Sequence, residues 1–179
     1  MTSGAGGAFV GTLIEPLREA HMSAGFQCRR EPEIERFFCE SAWAHERQGY
    51  SRTHVLVAGS SGLPPVAGFY SICSARLGTT EVATITAATA PGQLPVILLA
   101  QLGRDDRTVG GVGTYLMADM FRKVLKASEI IGACGIAVDA KNDGLVKYYR
   151  RFGFEPTKRR QLPQKMFLEM GAIRAAAGR

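Results

Sequence analysis

The sequence predicts a mixed α/β (α+β) fold in which helices flank a central mixed sheet, and three observations predict it. First, short apolar runs rich in β-branched and aromatic residues recur along the chain. These runs are Val55–Ala58, Val66–Cys73, Pro95–Leu102, Cys134–Val138 and Lys165–Met170. Second, a turn rich in Gly, Ser and Pro at 59–65 joins the first two runs and predicts a hairpin. Third, a glycine-rich turn at 108–113 leads directly into a long amphipathic segment.

The N-terminal third adds one helix to these strands. Leu13–Leu17 is predicted to be extended and to lead into a loop around His21–Arg30. Glu33–Gln48 is predicted to be a helix, with large apolar side chains set among charged ones. Residues 78–94 are rich in Thr and Ala, and we interpret them as a loop with some strand character.

The segment after the glycine turn predicts helix, strand and helix in turn. Helical spacing recurs in two apolar rows, Leu116, Met120 and Val124, and Met117, Phe121 and Leu125. Beyond the strand Cys134–Val138, either Asn142 or Asp143 is suited to cap a short helix that carries Tyr149 and stops at Gly153. Phe154 then enters another extended segment.

Length and composition predict one domain. A chain of 179 residues with 46% hydrophobic and 21% charged residues is ordinary for one globular core, which we place at residues 11–172. Residues 1–10 contain no basic region followed by an apolar stretch, so they are interpreted as a flexible leader, and 173–179 as a frayed tail. No run reaches the ~18 apolar residues that span a bilayer, so we expect no membrane association and a cytoplasmic location.

Several site classes lack their residues. The cysteines are Cys28, Cys39, Cys73 and Cys134, without a Cys-x-x-Cys pair, and there are only 3 histidines, so no metal site or disulfide framework is expected. No serine has the glycine context of a nucleophile elbow. The glycine turn lacks the Lys-Ser or Lys-Thr of a Walker loop and the third small residue of a dinucleotide-binding fold.

The glycine turn still suits an anion. Glycines allow close approach of the backbone, and the helix N-terminus that follows offers unpaired N–H groups and partial positive charge to a phosphate. Taken alone, such a turn is also compatible with a simple tight connection.

Together with the downstream motif Tyr148-Tyr-Arg-Arg-Phe-Gly-Phe-Glu-Pro156, the turn resembles the core of the GCN5-related N-acetyltransferases. Within that family the chain is most similar to the toxins of bacterial toxin–antitoxin pairs that acetylate aminoacyl-tRNA and stop translation. The similarity includes Glu15-Pro-Leu, Gly49-x-Ser-Arg-Thr53, Leu94-Pro-Val-Ile-Leu-Leu99, Ala127-Ser-Glu-Ile-Ile-Gly132 and Val138-Asp-Ala-Lys141. The resemblance implies acetyl-CoA as cofactor, a tRNA substrate, a ribbon-helix-helix antitoxin and a homodimer.

The resemblance also implies roles for individual residues. Tyr149 would protonate the departing thiolate of CoA as the catalytic acid; Tyr148 is interpreted as structural. The residues expected to bind the cofactor are Leu102, Gly103, Arg104, Thr108, Val109, Gly110, Gly111, Val112, Gly113, Thr114 and Asn142. For Asn142, helix capping alone is the alternative.

The phosphate loop departs from the family pattern Gln/Arg-x-x-Gly-x-Gly/Ala, being about one residue shorter. Arg107 takes the first position if Val112 takes the last; alternatively Thr108 takes the first, and Gly111 and Gly113 then fit. We favour the second register because it retains both glycines. It lacks the first basic or amide side chain, for which Arg104 or Arg107 is a candidate substitute.

The charge balance favours an acidic partner. The net charge is +6, and the pI is about 9.4. The residues predicted to contact nucleic acid are Arg52, Arg150, Arg151, Lys158, Arg159 and Arg160. A solvated basic face without a nucleic-acid partner is the alternative for this cluster.

Three functions therefore follow from the sequence. The first is acetylation of the α-amino group of aminoacyl-tRNA by a toxin. The second is acetylation of a small amine or a protein N-terminus. The third is a non-catalytic acyl-CoA-binding module, which the shortened loop suggests.

Overall fold

A computed structural model of the chain describes residues 13–59, 63–85, 89–108, 110–159 and 161–177. Its sheet has seven strands in the order β1-β2-β3-β4-β5-β7-β6. The strands are β1 (Leu13–Pro16), β2 (Arg52–Val57), β3 (Val66–Gly78), β4 (Gln93–Arg104), β5 (Gly135–Ala140), β6 (Glu155–Pro156) and β7 (Gln164–Glu169). β4 and β5 are parallel, whereas β2 pairs antiparallel with β3 and β5 with β7. The predicted mixed sheet and the predicted hairpin are both confirmed.

Five α-helices accompany the strands among the described residues. They are α1 (Pro32–Arg36), α2 (Ala42–Gln48), α3 (Val112–Ile130), α4 (Asp143–Arg150) and α5 (Met170–Ala177). Short 3₁₀ helices lie at Glu19–Ala24 and Thr79–Glu81. None of these helices is long and apolar enough to cross a membrane.

The helix predicted over Glu33–Gln48 is divided. A π-helical segment at Phe37–Ser41 lies between α1 and α2, and it places the buried Phe38 against the rings of Phe26 and Phe69, at centroid distances of 4.8 Å each. A π turn has i→i+5 hydrogen bonds in place of the i→i+4 bonds of an α-helix, so it adds one residue to the turn and shifts the apolar face. The apolar pattern of the sequence therefore predicted the helix but not its interruption.

The C-terminal segment differs from the prediction. Residues up to Ala177 belong to α5 instead of a frayed tail from 173, because Met170 and Ile173 are three positions apart on one helical face and both are buried. The leader predicted for 1–10 lies outside the described residues.

The backbone contacts divide into two compact units. One comprises the described residues within Met1–Ile72 and Gln101–Met120, and the other those within Cys73–Ala100 and Phe121–Arg179. In the first unit, the core packs Leu17, Phe26, Phe38, Val55 and Phe69 together. In the second, Leu77, Leu94, Val96, Ala137 and Phe167 form a core of their own. One domain over 11–172 stays a prediction.

Candidate active site

The glycine turn and the start of α3 form the first part of the site. Gly111 has φ +100°, in the region that favours glycine, and α3 begins at the next residue. The N–H of Tyr115 donates to the Gly111 carbonyl at 3.1 Å, so the helical ladder begins there. N–H groups in the first turn of a helix have no acceptor within it. Since Gly110, Gly111 and Thr114 are exposed, this end of α3 is accessible to an anion.

Two other members of the predicted loop are less exposed. Val112 is fully buried and Gly113 half-buried. Neither has a polar side chain, so each can offer a ligand only its backbone N–H. Val109 lies outside the described residues. The N-terminal half of α3 is also anchored within its unit, because the Tyr70 hydroxyl donates to the Asp119 carboxylate at 2.7 Å in the interior.

The end of β4 forms the second part of the site. Its ladder with β5 covers Val96–Leu99, whereas β4 continues to Arg104, so Leu102, Gly103 and Arg104 lie beyond that ladder. A Cβ atom at Gly103 would lie 2.5 Å from Ile34 Cγ2 and 2.8 Å from Phe69 Cε1. Packing against these two side chains is therefore enough to require glycine at this position, with or without a ligand.

The two arginines considered for the phosphate loop behave differently. Arg107 forms an ion pair with the fully buried carboxylate of Asp105, with Nη2 2.8 Å from Oδ2, and this pairing raises the pKa of the guanidinium. Its charge is thus already engaged. Arg104 donates to the Thr108 carbonyl at 3.0 Å and is otherwise exposed, so it is the better candidate to meet a phosphate.

Thr108 is held inward, contrary to a side-chain role at the phosphate. It is 7% exposed, and its hydroxyl donates to the Asp105 carbonyl at 2.6 Å. Because a hydroxyl has only one proton to donate, this contact leaves none for a phosphate. Thr108 therefore shapes the turn.

Tyr149 lies on α4 in the second unit, 5% exposed among aromatic rings. Its ring centroid is 5.3 Å from that of Tyr148 and 5.7 Å from that of Phe154, both edge-on. Burial, followed by the neighbouring Tyr148, raises the pKa of the Tyr149 hydroxyl. The group thus keeps its proton through the neutral range, as a proton donor must.

Tyr148, which the sequence analysis interpreted as structural, has a packed ring but a hydroxyl without a partner among the described residues. Its ring packs edge-on against Phe152 at 5.1 Å. Its hydroxyl is buried and has no hydrogen-bond partner among the described residues, and burial raises the pKa of this group. Leaving a buried hydroxyl without a hydrogen bond costs free energy. Tyr148 therefore offers a donor, next to Tyr149 in the sequence, that no described residue uses.

Asn142 caps α4. Its side-chain oxygen accepts from the N–H of Leu145 at 2.9 Å, with extended backbone at Asn142 itself, as is typical of an N-cap. This geometry supports the capping interpretation over a role for the side-chain oxygen at a cofactor.

The basic residues fall in several places. Arg150 and Lys158 line one cavity of about 540 Å³ in the second unit, and Arg151 and Arg159 are exposed in the same part of the chain. Arg52 belongs to the first unit and donates to the Glu46 carboxylate at 2.8 Å. Arg160 lies outside the described residues.

One residue of this region escaped the sequence analysis. Asp105 is fully buried, accepts hydrogen bonds from Arg107 and lies three residues before the glycine turn. A carboxylate two residues before an arginine at the end of a predicted strand was the only local signal. The structure describes no group of three or more side chains among its residues that could hold a metal ion.

Comparison with solved structures supports the fold. A tyrosine-to-phenylalanine mutant of KacT superimposes with a TM-score of 0.83 at 23% identity, covering 93% of this chain and 99% of that one. AtaT complexed with acetyl-methionyl-tRNAfMet gives a TM-score of 0.82 at 22% identity, with coverage of 93% and 99%. AtaTR bound with AcCoA gives 0.77 at 22%, with coverage of 94% and 99%. Identities this low establish a shared fold only.

Sequence comparison supports the family. No protein-family model matches the chain. The tRNA-acetylating toxin of Mycobacterium tuberculosis (strain ATCC 25618 / H37Rv) is 30% identical over 151 residues, which cover 83% of this chain and 86% of that protein. With this relationship and the shared fold, the chain belongs to the tRNA-acetylating toxin branch of the GCN5-related N-acetyltransferases.

Proposed function

We propose that this protein transfers the acetyl group of acetyl-CoA to the α-amino group of an aminoacyl-tRNA and thereby stops translation. The observation that carries the proposal is the 30% identity to a tRNA-acetylating toxin over 83% of the chain. The exposed glycine turn before α3 and the buried Tyr149 on α4 support it.

The start of α3 suits the diphosphate of the cofactor. N–H groups of Gly110–Thr114 would bind its oxygens, since this turn is exposed and precedes the unpaired first turn of a 19-residue helix. The guanidinium of Arg104 would add the positive charge that the favoured loop register lacks. The backbone of Leu102–Arg104, beyond the ladder with β5, would hydrogen-bond the pantetheine arm.

Bound acetyl-CoA supplies an activated acyl group as a thioester. The N–H of Gly103 would donate to the thioester oxygen and stabilise the negative charge that develops there during attack. An α-amino group has a reference pKa of about 8, so a useful fraction of the acceptor is already neutral at pH 7. No general base is assigned.

Tyr149 would complete the transfer. As the amine nitrogen bonds to the carbonyl carbon and the carbon–sulfur bond breaks, the phenol donates its proton to the sulfur. Because its pKa is raised, the Tyr149 hydroxyl is protonated at neutral pH before the transfer. The proton that the new amide nitrogen loses would return through water to the Tyr149 phenolate, so the phenol is restored and no net proton is released.

The partners follow from the substrate. Arg150 and Lys158, beside the same cavity, would bind phosphates of the tRNA, and the reaction would take place in the cytoplasm. A tyrosine-to-phenylalanine mutant of AtaT has been solved bound to the C-terminus of the antitoxin AtaR and acetyl-CoA. By analogy, we propose that a ribbon-helix-helix antitoxin neutralises this protein and that the active form is a homodimer.

An acceptor panel tests the function. Purified protein is incubated with acetyl-CoA and one acceptor at a time: charged tRNA, the same tRNA without its amino acid, the free amino acid, or a peptide with a free N-terminus. Release of CoA thiol with charged tRNA alone is the expected result. Turnover with the free amino acid or the peptide would instead indicate the small-amine or protein acceptor, and no turnover with any acceptor would indicate a non-catalytic module.

A further inference from the structure

The side chain of Asp105 accepts four hydrogen bonds. Its Oδ2 accepts from the backbone N–H of Gln27 at 2.9 Å and from Arg107 Nη2 at 2.8 Å. Its Oδ1 accepts from the backbone N–H and the Nε of Arg107, at 2.9 Å and 2.8 Å. The carboxylate is fully buried, so these donors replace the water it would otherwise have.

These bonds fasten a distant loop to the approach of the glycine turn. Arg107 Nη2 also donates to the Gly25 carbonyl at 2.8 Å, and the Asp106 N–H donates to the Gln27 carbonyl at 2.9 Å. In return, the Asp106 carboxylate accepts from the N–H of Arg29 at 2.8 Å. Residues 25–29 and 105–107 therefore form one hydrogen-bonded block within the first unit.

The same block continues into the cofactor loop. The Asp105 N–H donates to the Ala67 carbonyl on β3, and the Asp105 carbonyl accepts from both the N–H and the hydroxyl of Thr108. Arg104 closes the turn by donating to the Thr108 carbonyl. Thr108 lies two residues before Gly110, so the position of Asp105 determines where the glycine turn begins.

We infer that Asp105 is a positioning residue for acetyl-CoA: its carboxylate holds residues 104–108 against the loop Gly25–Arg29, and so places the N–H groups of Gly110–Thr114 for the diphosphate. The inference rests on the function proposed above. In this view, the hydrogen bonds of Asp105 support the phosphate loop, which lacks the first basic or amide side chain of the family pattern.

The chemistry of the contact defines the variant. Each carboxylate oxygen of Asp105 faces two N–H donors, so in Asp105→Asn the new NH₂ group meets donors only, whichever way the amide turns. Asp106→Asn is the matched control. That side chain is exposed, faces a single backbone N–H, and can still accept from it through the amide oxygen.

The experiment compares two donors with charged tRNA as acceptor: acetyl-CoA, and S-acetylpantetheine, which carries the same thioester without the diphosphate. Asp105→Asn is expected to lower kcat/KM for acetyl-CoA about tenfold or more, mainly through KM, and to leave kcat/KM for S-acetylpantetheine unchanged. Asp106→Asn should match the wild type with both donors. Arg107→Gln is a second variant that keeps the test decisive if Asp105→Asn does not fold. The Arg107 side chain is half-exposed, so the substitution removes the charge without leaving a cavity in the core, and it should show the same selective loss.

The outcomes separate positioning from general destabilisation. Equal losses with both donors, or no loss with either, would overturn the inference, because only a displaced diphosphate site discriminates between them. Calorimetric titration with acetyl-CoA separates the inference from the proposed function. Wild-type protein that does not bind would overturn both, whereas wild type and Asp105→Asn with the same Kd would overturn the positioning role alone.

Discussion

The role of the glycine turn can be tested by adding a single methyl group at Gly111 and, as a control, at a glycine outside the turn. Gly111 has φ +100°, so Gly111→Ala places a side chain where L residues are strained by about 1–3 kcal/mol. The turn can relieve this strain by rotating its peptides, which moves the N–H groups away from the diphosphate. At about 1.4 kcal/mol per tenfold change in Kd, the affinity for acetyl-CoA should fall about 5-fold to about 100-fold.

Gly132→Ala, outside the turn, is the matched control. A Cβ atom there meets no heavy atom within 4 Å, and Gly132 is not in the left-handed region, so acetyl-CoA affinity should stay close to that of the wild type. Isothermal titration calorimetry gives both dissociation constants, and thermal melts verify that each variant is folded. Equal affinities for the two variants would refute the register that we assign to Gly111.

Three further predictions concern the acid, the basic residues and the buried carboxylate. Tyr149→Phe should lower kcat by about 10²–10⁴-fold in the thiol-release assay with the Kd of acetyl-CoA nearly unchanged; similar kcat values would exclude it as proton donor. Replacing Arg150 and Lys158 by Ala should reduce the slope of log K for tRNA against log salt by about 2, whereas Lys165→Ala, whose ammonium lies 2.8 Å from a carboxylate oxygen, should change it little. Burial would raise the pKa of Asp105, but hydrogen bonds from Arg107 and Gln27 lower it below the ordinary value; the stability it contributes is therefore present above about pH 4 and is lost as the pH falls through the folded-state pKa. As the pH falls through this range, the melting temperature should drop more steeply for wild type than for Asp105→Asn. Parallel plots of melting temperature against pH would argue against an ionised Asp105.

Local patterns account for much of what the sequence predicted. The face of α3 with Leu116, Met120 and Val124 is buried as its spacing indicated, since a helix imposes the same period on any stretch of chain. The hairpin of β2 and β3 followed from two β-prone runs around a Gly/Pro turn. The last helix was missed because its Ala-rich end resembles a tail, although Met170 and Ile173 anchor it.

The site shows the same division between local and distant information. Asn142 could be recognised as a helix cap because the atoms involved lie three residues apart. The ion pair of Arg107 could not be recognised in this way, because it depends on the position of Asp105. The Asp105 carboxylate in turn accepts a hydrogen bond from the backbone N–H of Gln27, 78 positions away. Sequence spacing carries no information about such a contact, so Arg107 remained a candidate phosphate ligand until the fold was known.

The most direct test of the central claim identifies the acetylated atom. Charged tRNA is treated with the protein and acetyl-CoA, the terminal aminoacyl-adenosine is released by nuclease, and mass spectrometry with fragmentation locates the added acetyl group. The account predicts one acetyl group on the α-amino nitrogen with wild-type protein and almost none with Tyr149→Phe. An aminoacyl-adenosine that remains unmodified, while the protein still consumes acetyl-CoA with another acceptor, would contradict it.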